Sequence, residues 1–209
     1  MAEQKNMMNK VFAAVAVAAL AGAGVWMALG QSGGGGGAGP SKEPEQKDKD
    51  KPAAPKSVDL TINAKKFKMD LALDDETRFK GLSDKAEIPE GWGLIFVFPR
   101  VMTKLEFVMR DCPVPIDVVY LDGAGRVVAW HKMEPEPPRT EEEKVKTAPP
   151  GYPAWAATND AYEKRLKKYS SKFSAQFALE FKGGTTDSLN LKAGQKLDLD
   201  VAALKKLAK

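Results

Sequence analysis

A chain of 209 residues, 43% of them hydrophobic, has room for one domain of ordinary size plus appendages. Its 32 basic and 28 acidic residues leave a net charge of only +4, and no segment interleaves basic residues with aromatics, so nucleic acid is not an expected partner. The single Cys excludes an intramolecular disulfide and any C-x-x-C zinc or redox site.

At the N-terminus, Lys5 and Lys10 precede a run of roughly twenty uncharged, largely apolar residues, Val11 to Gly30, enough to span a bilayer as a helix. Residues 1–30 therefore read in one of two ways. A cleavable signal would use a small-residue site such as Ala19-Leu20-Ala21. A retained anchor would use the whole run and place Trp26 near the outer interface. Either way the protein is expected in the cell envelope, anchored in the inner membrane and facing the periplasm or exterior, or secreted if the signal is cleaved. No Cys follows the run, which excludes a lipoprotein. Residues 31–57, glycine-rich and then alternating in charge with several prolines, bury too little apolar surface to offset their ordering entropy and read as a flexible linker.

The remaining residues, 58–209, read as one mainly β domain. Val58, Leu60 and Ile62 alternate with polar residues, as do Phe67, Met69, Leu71 and Leu73, which predicts two half-buried strands joined at Asn63 to Lys66. Asp74 is a candidate N-cap for a short helix, with Asp75 and Glu76 in its first turn and Gly81 as its stop. Gly93 to Phe98 is a continuous apolar strand closed by Pro99. Lys104 to Met109 predicts another strand, and Pro113 and Pro115 interrupt the sheet after it. Ile116 to Leu121 and Arg126 to Lys132 then form a hairpin through Asp122-Gly123-Ala124-Gly125.

Residues 134–172 look like an insertion. A long Pro-rich polar stretch leads into a helix that opens with Asp160 and Glu163 at capping-box spacing. Tyr162, Leu166, Tyr169 and Phe173 would line one face of that helix and cover an open side of the sheet. Strands over Gln176 to Phe181 and Lys196 to Val201 complete the pattern, and Ala202 to Lys209 reads as a frayed basic tail.

The stretch F-V-M-R-D-C-P-V-P-I-D resembles F-W-M-K-N-T-x-I-P-L-D of the family called domain of unknown function 192. T-R-F-K-G-L and G-L-I-F-V-F-P resemble its E-R-x-R-G-L-M and G-M-L-F-x-F. F-A-L-E-F-K-G-G-T and L-N-L-K-A-G-Q-K-L resemble its closing Y-V-L-E-x-x-A-G-x and L-G-L-x-x-G-D-x-V. The resemblance runs in order from Phe67 to Leu199. It implies a single compact antiparallel β-sandwich or barrel with one or two short helices, and no particular activity. Val108 stands where that pattern has Trp, Asp111 where it has Asn, Ser83 and Leu94 where it has Met.

The polar positions matched to the pattern are Arg78, Arg110, Asp111, Asp117 and Glu180. Asp117 enters an apolar strand, so it needs a partner, and Arg78 or Arg110 would satisfy it as a structural ion pair. The alternative is a catalytic or ligand-binding carboxylate in a small Asp/Arg cleft. Glu180, beside Phe181, reads as a strand acid facing solvent. Cys112 reads as a small, partly buried residue. Met109, Cys112, His131 and Met133 read as core and hairpin residues rather than a soft-metal set, and no cofactor is expected. No G-x-S-x-G context supports a hydrolase triad. The sequence thus points to a non-catalytic envelope module that meets the membrane through its N-terminal segment and binds an envelope protein or glycan. An enzyme working through Asp117 is the alternative.

Overall fold

The computed structural model describes residues 55–209. The expectations for residues 1–30 and for the linker up to residue 54 lie outside the described residues. Among the described residues no helix is long and apolar enough to cross a membrane.

Strands β1 (Ser57–Ile62) and β2 (Lys65–Ala72) pair as a hairpin, with Leu60, Ile62, Phe67 and Met69 turned into the core. Asn63 and Ala64 at its tip have φ of 46° and 70°. Positive φ at both central residues is what the common two-residue hairpin turn requires, and Asn tolerates it better than Ala. Helix α1 (Asp75–Lys80) starts where expected. Asp74 accepts the Thr77 N–H at 2.9 Å, and the Thr77 hydroxyl accepts the Asp74 N–H at 3.2 Å. Gly81, with φ of 48°, ends the helix.

The connection through α1 carries the chain back across the sheet, so β3 (Trp92–Met102) lies parallel to β2. This corrects the antiparallel expectation: every other pairing is antiparallel, while this pair is parallel, an arrangement that needs a crossover such as the one α1 supplies. Pro99 lies inside β3 rather than after it. The register with β8 (Ala175–Lys182) shifts between Val97 and Met102, which accommodates a residue without an N–H.

Strands β5 (Ile116–Leu121) and β6 (Val127–Met133) form the expected hairpin. Its loop is held by Asp122, whose carboxylate accepts the N–H groups of Ala124 at 2.8 Å and Arg126 at 2.9 Å. All six long strands lie in one mixed sheet, ordered β1-β2-β3-β8-β5-β6. The late strand β8 is thus inserted between β3 and β5 and is buried from Ala175 to Phe181. Apolar clusters cover both faces, one built on Phe96, Phe107, Ile116 and Tyr120, the other on Ile62, Ile95, Phe177 and Leu204. Each large side chain fully buried there contributes roughly 1.5–3 kcal/mol.

Four expected elements differ. Only Glu106–Phe107 of the predicted Lys104–Met109 strand forms β4, which pairs with β7 (Tyr169–Ser170) in a separate two-stranded sheet. The insertion helix is shorter than predicted: α2 spans Asp160–Arg165 and is capped by Asn159, whose side chain accepts the Tyr162 N–H at 3.0 Å. Leu166 is already extended, since the chain must straighten to pair β7 with β4. Tyr162, Leu166 and Tyr169 are buried as expected, but Phe173 is 63% exposed. Lys196 makes a single bridge to Arg126 instead of opening a strand. The chain then forms α3 (Val201–Leu207), which buries Leu204 and is capped by Asp200, so the expected frayed tail is a packed helix. That makes three short α-helices among the described residues, where one or two were expected.

Candidate functional site

The five polar residues matched to the family pattern fall into three places. Asp117, 1% exposed on β5, pairs with neither arginine. Its Oδ2 accepts both the backbone N–H and the hydroxyl of Thr186, each at 2.7 Å, and its Oδ1 is buried without a partner. The expected Asp117–arginine ion pair and the Asp/Arg cleft around it are therefore not formed. Asp117 meets its need by holding the short 3₁₀ turn Thr186–Ser188 against the sheet.

Asp111 sits in a left-handed conformation, φ 53°, at the turn after β4. Its carboxylate takes Arg139 bidentately at 2.6 and 2.9 Å, with Lys146 at 3.2 Å. Burial pushes the Asp111 pKa up, but the bonds from Arg139 and Lys146 outweigh it and hold the group below its ordinary value. Both Arg139 and Lys146 belong to the insertion.

Arg78, Arg110 and Glu180 do come together, around a cavity of about 30 Å³ between the C-terminal end of α1 and the sheet. Arg78, on α1 and 1% exposed, donates to Val97 O at 2.8 Å, Asp75 Oδ1 at 2.6 Å and the main-chain oxygen of Lys209 at 2.7 Å. Arg110 stacks over the Phe79 ring at 4.4 Å and is clasped by Glu163 of α2 at 2.6 and 2.7 Å. Glu180, on the central strand β8, faces Leu94 of β3 and Val118 of β5. It is 4% exposed, which corrects the expectation that it faces solvent. A strand paired on both sides and covered on both faces offers an acid no wet side.

Two of the buried polar atoms without a hydrogen-bond partner belong to residues lining this cavity, the donor Arg78 Nε–H and the acceptor Glu180 Oε2. Burial alone pushes the Glu180 carboxyl up to about 8. Gly81 closes the cavity from above, and a Cβ there would lie 3.2 Å from the Phe96 ring and 3.7 Å from Glu180 Oε2. Ser83 and Val108 also line it, the Ser83 hydroxyl donating to Arg110 O at 2.7 Å. Cys112 is nearby and buried, and burial together with Glu180 pushes its thiol up to about 12, so it is not a thiolate nucleophile. Among the described residues no three His, Cys, Asp or Glu side chains are grouped to hold a metal ion. His131, the one histidine, has its Nε2 2.7 Å from Ser170 O.

Sequence reasoning missed several participants. Glu163 reads as a capping-box partner of Asp160, yet it serves Arg110. The guanidinium groups of Arg139 and Arg165 both lie over the Tyr162 ring, 3.5 Å and 4.7 Å from its centroid. The charge-rich composition of the insertion was the available signal for such a network. Gly81 was legible as a helix stop, but nothing in the sequence marks it as the roof of a cavity.

Four of the segments carrying the family resemblance, Thr77–Leu82, Gly93–Pro99, Phe107–Asp117 and Phe177–Thr185, contribute residues to the lining of this cavity. Two solved structures are similar to this chain. One is a putative transcription regulator from Sinorhizobium meliloti, 19% identical, covering 68% of this chain and 91% of that chain, with a TM-score of 0.48. The other is a protein of unknown function from Novosphingobium aromaticivorans, 21% identical, covering 68% of this chain and 85% of that chain, with a TM-score of 0.47. Among curated proteins none matches the chain. The family model DUF192, described as Uncharacterized ACR, matches residues 58–199, and the chain belongs to that family.

Proposed function

We propose that this protein is an exported binding module of the cell envelope, tethered to the inner membrane by its N-terminal segment, with the Glu180 cavity as its binding centre. The observation that carries the binding reading is the buried, unpartnered Oε2 of Glu180, a residue that lines a small cavity together with residues of the family-like segments. Asp111 is committed to Arg139, and Asp117 holds Thr186 through Oδ2, away from this cavity. The apolar run Val11 to Gly30 behind Lys5 and Lys10 supports export and tethering. The partner is an envelope protein or glycan.

A second reading, an enzyme of unknown reaction, rests on Glu180 rather than on Asp117. A carboxyl held protonated near neutral pH suits a general acid as well as a binding group.

Fractionation of cells producing the full chain tests the location. The full chain is expected in the membrane fraction, cleaved by protease added to spheroplasts. A full chain confined to the soluble cytoplasm refutes export. Retention of the wild-type chain and of Glu180→Leu on isolated envelope material tests the binding centre: Glu180→Leu is expected to lose retention, and equal retention moves the site elsewhere.

A further inference from the structure

We propose that the end of the sheet carrying Val101 and Phe173 docks on the anionic bilayer that holds the tether. The inference rests on the tethering reading and adds to it a second, reversible membrane contact made by the folded domain itself.

Strand register gathers this end from distant parts of the chain. Ser57, where the chain enters β1, pairs with Asp70, and Ala72 at the close of β2 pairs with Phe96. Beyond them β3 runs on to Met102, the partner of Ala175 at the start of β8. Strand β5 reaches the same end at Leu121, which faces Phe177. The chain from the tether therefore joins the domain at the end that carries the last residues of β3, the β5–β6 loop and the turn before β8. Val101 and Phe173 lie there, 53% and 63% exposed.

Cations accompany both side chains. Lys172 directly precedes Phe173. Lys104 sits between Met102, which pairs with Ala175, and Leu105, which is bonded to Ser171, and so lies opposite the Phe173 turn. On the other side Lys205 of α3 donates to Gly123 O at 2.6 Å, and its Nζ and Val101 Cγ2 both lie within 4 Å of where a Gly123 Cβ would be. The acids beside them are engaged, Glu106 by Lys104 at 2.8 Å and Asp122 by the N–H groups of Ala124 and Arg126. Among the described residues neither Lys172 nor Lys205 forms a salt bridge. Apolar side chains among unpaired lysines match an anionic lipid surface, with the ammonium groups at the phosphates and Val101 and Phe173 at the acyl boundary. A second copy of the chain is the poorer occupant, because a two-fold contact would set each lysine against its own image. Residues Gln31 to Lys56 reach at most about 90 Å, so the tether holds the domain near the bilayer and the contact needs little affinity of its own.

The full chain reconstituted in vesicles tests this contact. Cys112 is buried, so Ser174→Cys supplies one accessible thiol beside Phe173 for an environment-sensitive fluorophore, and Lys66→Cys supplies a control at the opposite end of the sheet. The vesicles contain phosphatidylcholine and phosphatidylglycerol, with a nitroxide on the lipid just below the headgroup. At low salt, quenching at position 174 is expected to be several-fold stronger than at position 66. Most of it should be lost at high salt, in phosphatidylcholine alone, and when Phe173→Ser and Lys172→Asn are added to the labelled chain. Equal quenching at the two positions, with the chain floating on the vesicles, overturns the docking and leaves the tether standing. A chain that does not float with the vesicles overturns both. Quenching at position 174 that is unchanged by salt and by omission of phosphatidylglycerol overturns the anionic contact. A blue shift at position 174 that grows with protein density, without lipid quenching, gives the face to a second copy and also overturns the proposal.

Discussion

Arg110 and Glu163 meet in a fork-to-fork pair, Nε to Oε1 at 2.6 Å and Nη2 to Oε2 at 2.7 Å, with about nine-tenths of each side chain out of water. One partner lies in the family-like motif after β4 and the other on the insertion helix, so the insertion is bolted to the wall of the Glu180 cavity. Buried pairs of this geometry gain little over an apolar pair, but removing one partner strands the other. Glu163→Gln is expected to destabilise the protein by roughly 3 kcal/mol in urea melts, and Arg110→Met by a similar amount. The double variant should recover a large part of the loss. Additive losses would mean that the clasp is not a coupled pair.

Asp117 and Arg78 are expected to behave as strangers. Asp117→Ala leaves the buried Thr186 N–H and hydroxyl without their acceptor, which costs about 2–3 kcal/mol. Arg78→Met frees Val97 O and the Lys209 oxygen at a comparable cost. Sharing no partner, the two losses should add to within about 0.5 kcal/mol. A coupling well above that would restore the direct ion pair that the structure replaces with separate contacts.

Ala64 holds φ of 70° at the β1–β2 turn, a region that costs a side chain with a Cβ roughly 1–2 kcal/mol. Ala64→Gly relieves that strain and gives back some unfolded-state entropy. A net gain of about 0.5–1 kcal/mol in thermal or urea unfolding is expected. A loss would show that the turn is not strained in solution.

Much of this molecule is legible from sequence because local chemistry decides it. Asp74 caps α1, Asp122 braces the β5–β6 loop, and the alternation in β1 and β2 marks their buried faces. What escapes is set by distant partners. Tyr162, Leu166 and Tyr169 have helical spacing, yet β4 draws Tyr169 into a strand. The β2–β3 pair is parallel because of where α1 sends the chain, which periodicity does not encode. Glu180 looks like an outward acid because alternation assumes one wet face, and β8 has none. Asp117 announces its need for a partner, but Thr186, sixty-nine positions away, carries no local sign of being that partner.

The buried carboxyl also imposes a pH dependence. The native pKa of Glu180, about 8, lies above its ordinary value of 4.5. Below 4.5 both folded and unfolded chains hold the proton, and the carboxyl imposes no charge penalty. Between 4.5 and 8 the unfolded chain releases the proton while the native chain keeps it, so stability falls by about 1.4 kcal/mol per pH unit. Above 8 both are ionised and the loss levels off, on the order of 5 kcal/mol. Glu180→Gln removes this slope, so its advantage over the wild type should grow from pH 4.5 to 8. Parallel stability curves for the two proteins would show that Glu180 is solvated.

The most direct test is the titration of Glu180 itself, followed by the carbon-13 resonance of its side-chain carboxyl from pH 3 to 10. Sealed beneath Gly81 with no cation in contact, it is expected to remain protonated through neutrality and titrate near 8. A midpoint near 4.5 would place the carboxyl in water or in an ion pair, and would contradict the cavity as the protein's binding centre.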